Sequence, residues 1–368
     1  MSIPQSLPSA RLRTDFLSAS DAARLVAHVG IVNVLRLMAK AVEADYGRWQ
    51  DFEKSARTAV HSAQGVIELM PVADARDYAF KYVNGHPQNP QLGLPTVMAF
   101  GALTDVATGM PRFVSELTLT TALRTAATSA MAARWLASSE SRSMALIGNG
   151  SQSEFQALAF MALMGVRELR LFDIDPAASQ KLLRNLQPFA QQFATSMRID
   201  ASVQDAVRGA DIVTTATADK ARATILPDSL AEPGMHINAV GGDCPGKTEI
   251  DANLLLHAKV FVEYEPQTRI EGELQQMPAG FAVTELWRVI QGLEPGRTTP
   301  QQITLFDSVG FALEDYSALR TMHALARRAG LLSQIELIPA LADPKDLFAM
   351  VRQAQAAQDR LLHGRKTA

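Results

Sequence analysis

A single cysteine, Cys244, stands among 368 residues. One thiol excludes an intrachain disulfide and any CxxC metal site, and it suits a reducing cytoplasm. No apolar run approaches the roughly 20 residues that span a bilayer, so no membrane role is expected. The chain opens Met1-Ser2-Ile3-Pro4-Gln5-Ser6 and reaches Arg11 and Arg13 without an apolar stretch, so it does not read as a signal peptide. Positive charge is scattered: the net charge is −3, and the densest basic stretch is Arg365-Lys366 in the tail. That leaves no electrostatic footprint for nucleic acid or an anionic membrane. The seven histidines show no HExxH or other metal-ligand spacing, so no metal site is expected. Internal repeats and low-complexity tracts are also missing.

What is present suits two domains. Apolar residues make up 47% and charged residues 20%, ordinary values that fill two cores at this length. Residues 1–18 read as a loose extension, and a helical pattern with caps among Ser18–Asp21 runs to about Tyr46. Short β-type runs follow (Val66–Met70, Tyr78–Val83, Thr96–Phe100), separated by turns such as Asn84-Gly85-His86-Pro87, which predicts a mainly antiparallel sheet. Leu117–Ala137 contains neither glycine nor proline and is rich in alanine, so it predicts one long helix.

Beyond Ser138 the texture becomes strand–helix–strand. Buried strands fit Met144–Ile147, Glu168–Phe172, Ile212–Thr215, His236–Val240, Lys259–Val262 and Ile303–Phe306. That alternation predicts a doubly wound parallel sheet. A helical stretch from about Tyr316 returns to the first domain. The expected fold class is α/β: a Rossmann-type domain over residues 130–312, and a discontinuous α+β domain made of 1–129 and 313–368.

The strongest local signal is Gly148-Asn149-Gly150-Ser151-Gln152-Ser153, a GxGxxS between an apolar strand and the helix Glu154–Met164. Gly148 permits a tight turn, Gly150 lets the backbone approach a pyrophosphate, and a small third residue lets helix and strand pack closely. Serine at that third position departs slightly from the usual glycine or alanine. The next strand ends at Asp173, 25 positions beyond Gly148, where an acid binds the ribose hydroxyls and disfavours a 2′-phosphate. No arginine follows it directly, so the cofactor expected is NAD. A lone glycine motif is a weak signal; its placement between strand and helix strengthens it.

A second constellation runs His236–Glu249, a strand entering the loop Gly241-Gly242-Asp243-Cys244-Pro245-Gly246-Lys247. Ligands in open α/β sheets sit beyond the carboxyl ends of strands, which puts Asp243 where chemistry is expected. On spacing alone Asp243 reads equally well as the organiser of a turn, and Lys247 as a solvated lysine. Six separated blocks in order settle more than either loop does. Gly65–Pro71, Phe80–Pro87, Leu119–Ala127, the Gly148 and Asp243 loops, and Phe306–Gly310 together resemble the ornithine cyclodeaminase/μ-crystallin family, over about Asp21 to Phe348.

That resemblance implies a homodimer whose first domain supplies the dimer sheet, and cyclisation of L-ornithine to L-proline with loss of ammonia in a redox-neutral cycle using NAD. By position, Asp243 matches the acid/base that moves protons between the two substrate nitrogens. That role calls for a pKa nearer neutrality, favoured by partial burial and opposed by Lys247. Arg57, Lys81 and Arg124 match the residues around the substrate carboxylate; Glu68 matches the acid that receives the distal ammonium. Thr96, Arg124, Gly148, Gly150, Ser151, Gln152, Asp173, Thr217, Val240, Gly241, Gly242, Asp243, Lys247 and Ser308 match the cofactor site, and Val309 lies against the substrate. From the residues alone, Arg57, Lys81 and Arg124 read equally as ion pairs internal to the fold. Cys244 is given no role, since no His–Cys pair is evident.

Family members also cyclise lysine to pipecolate, reduce cyclic ketimines or interconvert pyruvate and alanine, and μ-crystallin-like members act as binding proteins. Glu68 and the Gly65–Pro71 block favour ornithine over ketimine reduction. Retention of Asp243 with Lys81 and Arg124 argues against a purely structural role.

Overall fold

The computed structural model describes residues 12–217 and 222–364. Two eight-stranded sheets organise them. The first is built largely from hairpins: Val66–Ala73, Asp77–Gly85, Val97–Asp105 and Pro111–Glu116 pair antiparallel in succession. Glu53–Lys54 and Thr58–His61 both pair with Val66–Ala73. At the other edge, Thr14–Leu17 pairs parallel with Pro111–Glu116 and antiparallel with Ser333–Ile335. The loose extension expected over residues 1–18 is thus corrected at its end, because residues 14–17 are a strand. Residues 1–11 lie outside the described residues. Leu17 and Thr14 are buried there, and a four-residue strand carries too little alternation to stand out in sequence.

The helical pattern to Tyr46 is two helices, Ala19–Val29 and Ile31–Tyr46, set at 99° to one another. Gly30 makes the corner at φ +85°, a conformation that costs glycine little. Ile31–Tyr46, the alanine-rich Thr118–Leu136 and Ala312–Ala329 form a helical layer over the first sheet. Thr118–Leu136 is buried on nearly every side. Its small side chains let the neighbouring helices approach closely, which an amphipathic helix with long polar residues would prevent. The helix spans the proposed domain divide at 129/130, and the core of the first domain runs through it onto one face of the second sheet.

That second sheet is wholly parallel, in the order Ser196–Ile199, Glu168–Phe172, Ser143–Ile147, Ile212–Thr215, His236–Ala239, Thr304–Asp307, Lys259–Val262, Thr284–Glu285. Strand order reverses at Ser143–Ile147, so the crevice opens there, where the Gly148 turn emerges. Its two edge strands were not foreseen, being short and weakly apolar. After Thr304–Asp307 the chain re-enters the first sheet's helical layer through Ala312–Ala329. Trp49 fixes the junction, stacked on Trp287 at 6.0 Å and tilted against Tyr264 and Phe311. Among the described residues, no single helix is long and apolar enough to cross a membrane.

Candidate active site

Between the two sheets lies a pocket of about 270 Å³, lined from both. The parallel sheet contributes the turn after Ser143–Ile147. Gly148 sits at φ +89°, and a Cβ there would meet the Ala216 carbonyl oxygen at 2.6 Å, so the neighbouring strand end requires glycine. A Cβ on Gly150 would meet nothing within 4 Å, leaving open space for a ligand to approach the backbone. The helix Ser153–Ala159 starts immediately afterwards and continues as a π turn to Met164. The Gln152 Oε1 is buried without a hydrogen-bond partner among the described residues. Asp173 accepts from the backbone amides of Asn149 (2.5 Å) and Asp175 (2.8 Å), and Ile174 beside it is 93% exposed. An anion-accepting turn, an acid at the second strand's end and a bare apolar side chain suit a dinucleotide lacking a 2′-phosphate.

The antiparallel sheet contributes the other wall. Side chains alternate across a strand, so Val66, Glu68 and Met70 face inward beside Lys81 and Val83 of the next strand, with Glu68 opposite Val83 and Met70 opposite Lys81. On Thr118–Leu136 the spacing of Thr121, Arg124 and Thr125 puts all three on the pocket side. The charges are densely paired. Arg124 Nη1 donates to Glu314 (2.6 Å) and its Nε to Asp315 (2.9 Å); Lys81 Nζ donates to Asp315 (2.9 Å). Arg57 Nη1 donates to Glu68 (3.0 Å), Nη2 to the Val309 and Gly310 carbonyls (2.6 Å each), and Nε faces Glu271 at 2.9 Å. Three of the five guanidinium N–H positions of Arg57 therefore have hydrogen-bond acceptors, and Nε meets Glu271 as an ion pair without hydrogen-bond geometry. Among the described residues, Arg124 Nη2 has no acceptor and Lys81 Nζ makes one hydrogen bond of a possible three. Glu68 keeps Oε1, which is buried without a hydrogen-bond partner among the described residues.

The loop after His236–Ala239 closes the pocket. Asp243 is 52% exposed at its side chain and lies 3.4 Å from Lys247 Nζ, which also donates to the Thr217 carbonyl at 2.9 Å. Glu249 accepts from the Thr217 amide (2.8 Å) and hydroxyl.

Arg57, Glu68, Lys81, Thr96, Arg124, Gly150, Ser151, Gln152, Thr217, Val240, Gly241, Asp243, Lys247, Ser308 and Val309 all line this one pocket. Gly148, Asp173 and Gly242 are not in its lining; Gly148 and Gly242 adjoin lining residues in their loops, and Asp173 is tied to the Gly148 turn through the Asn149 amide. Sequence reading missed Asn84, Thr121 and Thr125 in the lining, and the acids that hold the cations: Glu271, Glu314 and Asp315. Asn84 lies inside a block already singled out. Glu314-Asp315 falls in the first turn of the helix Ala312–Ala329, just past Gly310 and flanked by Ala312, Leu313 and Tyr316, and a pair of acids among apolar neighbours was the available signal.

Burial raises the carboxyls beneath the site. Glu263, Glu271, Glu273, Asp307, Glu314 and Glu249 are all buried, and each has its pKa pushed up chiefly by desolvation. Glu271 reaches about 7 despite Arg57, and Glu263 and Glu273 reach about 8. An acid raised on folding stabilises the fold at low pH and loses that contribution as pH climbs through its folded value. Buried His236, lowered to about 3, acts only below about 6.5. The thermal midpoint is therefore expected to fall between about pH 6.5 and 8, and Glu273→Gln to flatten the fall. A midpoint that held level or rose across that window in the unaltered protein would contradict it.

Comparison with known proteins agrees with this geometry. Residues 20–329 match the model of the ornithine cyclodeaminase/mu-crystallin family. The chain is 54% identical over 336 residues to ornithine cyclodeaminase of Brucella suis biovar 1 (strain 1330), covering 91% of this chain and 93% of that protein. Among solved structures it resembles a lysine cyclodeaminase studied for recognition of L-lysine, L-ornithine and L-2,4-diaminobutyric acid (TM-score 0.84, 31% identity, 91% of this chain and 99% of that one). It also resembles an archaeal alanine dehydrogenase dimer with bound NAD (TM-score 0.80, 28% identity, 89% and 100%). The chain belongs to the ornithine cyclodeaminase/mu-crystallin family.

Proposed function

We propose that the chain is an NAD-dependent ornithine cyclodeaminase, converting L-ornithine to L-proline and ammonia. The observation that carries the substrate is Glu68, whose Oε1 is buried in a pocket that also holds the free donors of Arg124 and Lys81. A buried carboxylate oxygen without a donor costs free energy until an ammonium fills it. The same pocket offers guanidinium and ammonium donors for a carboxylate. A diamino acid satisfies both ends at once. Relatives named for ornithine and lysine cyclisation support the same substrate class.

Bound NAD would supply the acceptor for the substrate Cα hydride and, later in the cycle, its donor, so no net redox change would result. The chain's own residues bind and move protons. Arg124 and Lys81 hold the carboxylate, and Arg57 carries Glu68 on one side and the 309–310 carbonyls on the other. Burial and the neighbouring Arg124 lower Lys81 to about 8, so it is charged at neutral pH and close to titrating. Glu68 receives the distal ammonium. Asp243, open to the pocket, accepts the proton that must leave the δ-nitrogen before ring closure and returns one to the departing α-nitrogen. Gly148, Gly150, Ser151, Gln152, Asp173, Thr217, Val240, Gly241, Gly242, Lys247, Ser308 and Thr96 would hold the cofactor.

The exposed face of the antiparallel sheet carries Ile67, Leu69, Tyr78 and Phe100, with Tyr82 stacked on Phe100 at 5.1 Å. A contiguous apolar face of this kind supports a homodimer, and sedimentation is expected to give twice the chain mass. The lone Cys244 supports a cytoplasmic location.

The reading is tested by incubating purified protein with NAD and L-ornithine. Equimolar proline and ammonia without net NADH support it; NADH accumulation would indicate a dehydrogenase. L-lysine run in parallel gives the preference, since one methylene is worth about 1–3 kcal/mol in a pocket. Glu68→Gln is expected to raise KM for L-ornithine at least about 30-fold, the cost of unpairing a buried charge. L-proline, which has no distal ammonium, should bind that variant as before. Equal losses for both ligands would remove Glu68 from the ammonium role.

A further inference from the structure

We propose that Glu263 is a positioning residue that fixes both guanidinium groups of the substrate pocket through the turn 308–310, an inference that rests on the carboxylate-binding role given above to that pocket. Glu263 does not itself line the pocket, and it stands behind the lining residues Ser308, Val309 and Gly310. It follows the strand Lys259–Val262, which runs parallel to Thr304–Asp307 with Val262 beside Asp307. One step beyond that ladder, its carboxylate therefore lies against the start of the turn that follows Asp307. It is fully buried and accepts three hydrogen bonds from that turn: from the Ser308 hydroxyl (2.8 Å) and from the amides of Val309 (3.0 Å) and Gly310 (3.1 Å).

The other side of the turn faces the cations. The peptide group joining Val309 and Gly310 donates its N–H to Glu263 and accepts Arg57 Nη2 at its oxygen, at 2.6 Å. One peptide dipole thus stands between a buried carboxyl group and a buried cation, aligned with both, and each hydrogen bond polarises the other. The next carbonyl, of Gly310, accepts from Arg57 Nη2 (2.6 Å) and from Gln267 Nε2 (2.8 Å). Gly310 itself, at φ +79°, is a shelf for Arg124: a Cβ there would lie 2.8 Å from Arg124 Nη1. Arg57 comes from the segment before Thr58–His61 and Arg124 from the long helix, so nothing local in sequence sets them in register. The turn does so, and Glu263 holds the turn. Burying a carboxylate costs several kcal/mol. Backbone acceptors would satisfy an ordinary turn without that cost.

The experiment compares unaltered protein, Glu263→Gln and Glu263→Asp, each saturated with NAD. It measures KM and kcat for L-ornithine, the calorimetric Kd for L-proline, the Kd for NAD and the thermal midpoint. Glutamine keeps the shape but turns an N–H₂ toward one of three donors, so the turn loosens. KM for L-ornithine is expected to rise about 10- to 100-fold, as for other residues that act through a binding group. The L-proline Kd should rise by the same factor, because the two ligands share the carboxylate. NAD affinity should fall far less than affinity for the carboxylate ligands, since Ser308 alone of the residues given to the cofactor contacts Glu263 and the dinucleotide turn 148–152 does not. Aspartate restores the carboxyl group on a shorter arm and should recover part of the loss.

Unchanged KM and L-proline affinity in a folded Glu263→Gln would overturn the proposal. A uniform fall of ornithine, proline and NAD affinity together with the thermal midpoint would reduce Glu263 to a fold-stabilising residue and overturn it too. Should the glutamine variant not fold, Glu263→Asp carries the test: a smaller rise limited to the carboxylate ligands supports the proposal, and unaltered binding refutes it. Unaltered protein that binds neither L-ornithine nor L-proline would instead bring down the substrate reading itself, and the proposal with it.

Discussion

Asp243→Ala is expected to lower L-ornithine turnover by about 10³- to 10⁴-fold, the upper range for loss of a general acid–base group, while the protein still folds and binds NAD. The separation follows from where the side chain sits. Asp243 is half exposed and makes one polar contact, to Lys247 at 3.4 Å. Its removal opens no core cavity, and Lys247 keeps the Thr217 carbonyl. Stability should therefore change by no more than about 0.5 kcal/mol, as for other exposed substitutions. Chemistry has no such reserve. Other carboxylates of the pocket region are committed: Glu68 and Glu271 to Arg57, Asp315 to Lys81 and Arg124, Glu314 to Arg124. Asp243 is the acid open to solvent and substrate alike. Stopped-flow mixing of the variant with L-ornithine, alongside NAD titration, checks both halves. Turnover within tenfold of the unaltered rate would remove Asp243 from proton transfer.

The parts of this arrangement that show in sequence are those governed by local chemistry. The glycines at 148 and 150, the acid at 173 and the strand–helix alternation around them are readable because a dinucleotide turn constrains residues close together in the chain. The antiparallel sheet shows through alternation at Val66–Ala73 and Asp77–Gly85, where one face is buried. Short strands escaped. Thr14–Leu17 and Ser333–Ile335 are held by pairing with each other and with Pro111–Glu116, a contact between chain ends that no local pattern records.

The break at Gly30 escaped for a related reason, since apolar spacing continues in phase on both sides. At the site, the positions of Arg57, Lys81 and Arg124 were readable but their partners were not. Glu271, Glu314 and Asp315 come from distant segments, and only the fold brings them within 3 Å of the cations. The two sequence readings of the cations, as internal ion pairs or as substrate ligands, prove compatible. Each is paired on one side and lines the pocket on the other.

That double commitment makes Arg124 the most consequential of the three. Arg124→Met fills similar volume and removes the charge. Glu314 and Asp315 would then share Lys81 as their nearest cation, at a cost of about 3–5 kcal/mol for an unpaired buried charge. Lys81 would respond: burial first and Arg124 second hold it at about 8, and without Arg124 its pKa climbs. A Lys81 more firmly protonated and drawn to two acids has fewer free donors, so the carboxylate loses both of its principal contacts. Turnover is expected to drop at least about 10³-fold, appearing in kcat/KM. Loss of stability and loss of binding can be separated by a second change. Glu314→Gln in the Arg124→Met background removes the orphaned charge and should recover about half of the lost stability, a coupling that contacting residues show. It should recover no turnover, because no guanidinium returns to the pocket. Thermal unfolding and L-proline calorimetry on the single and double variants measure the two effects independently. Recovered proline binding in the double variant would mean that Arg124 serves the fold alone, and that Lys81 holds the carboxylate without it.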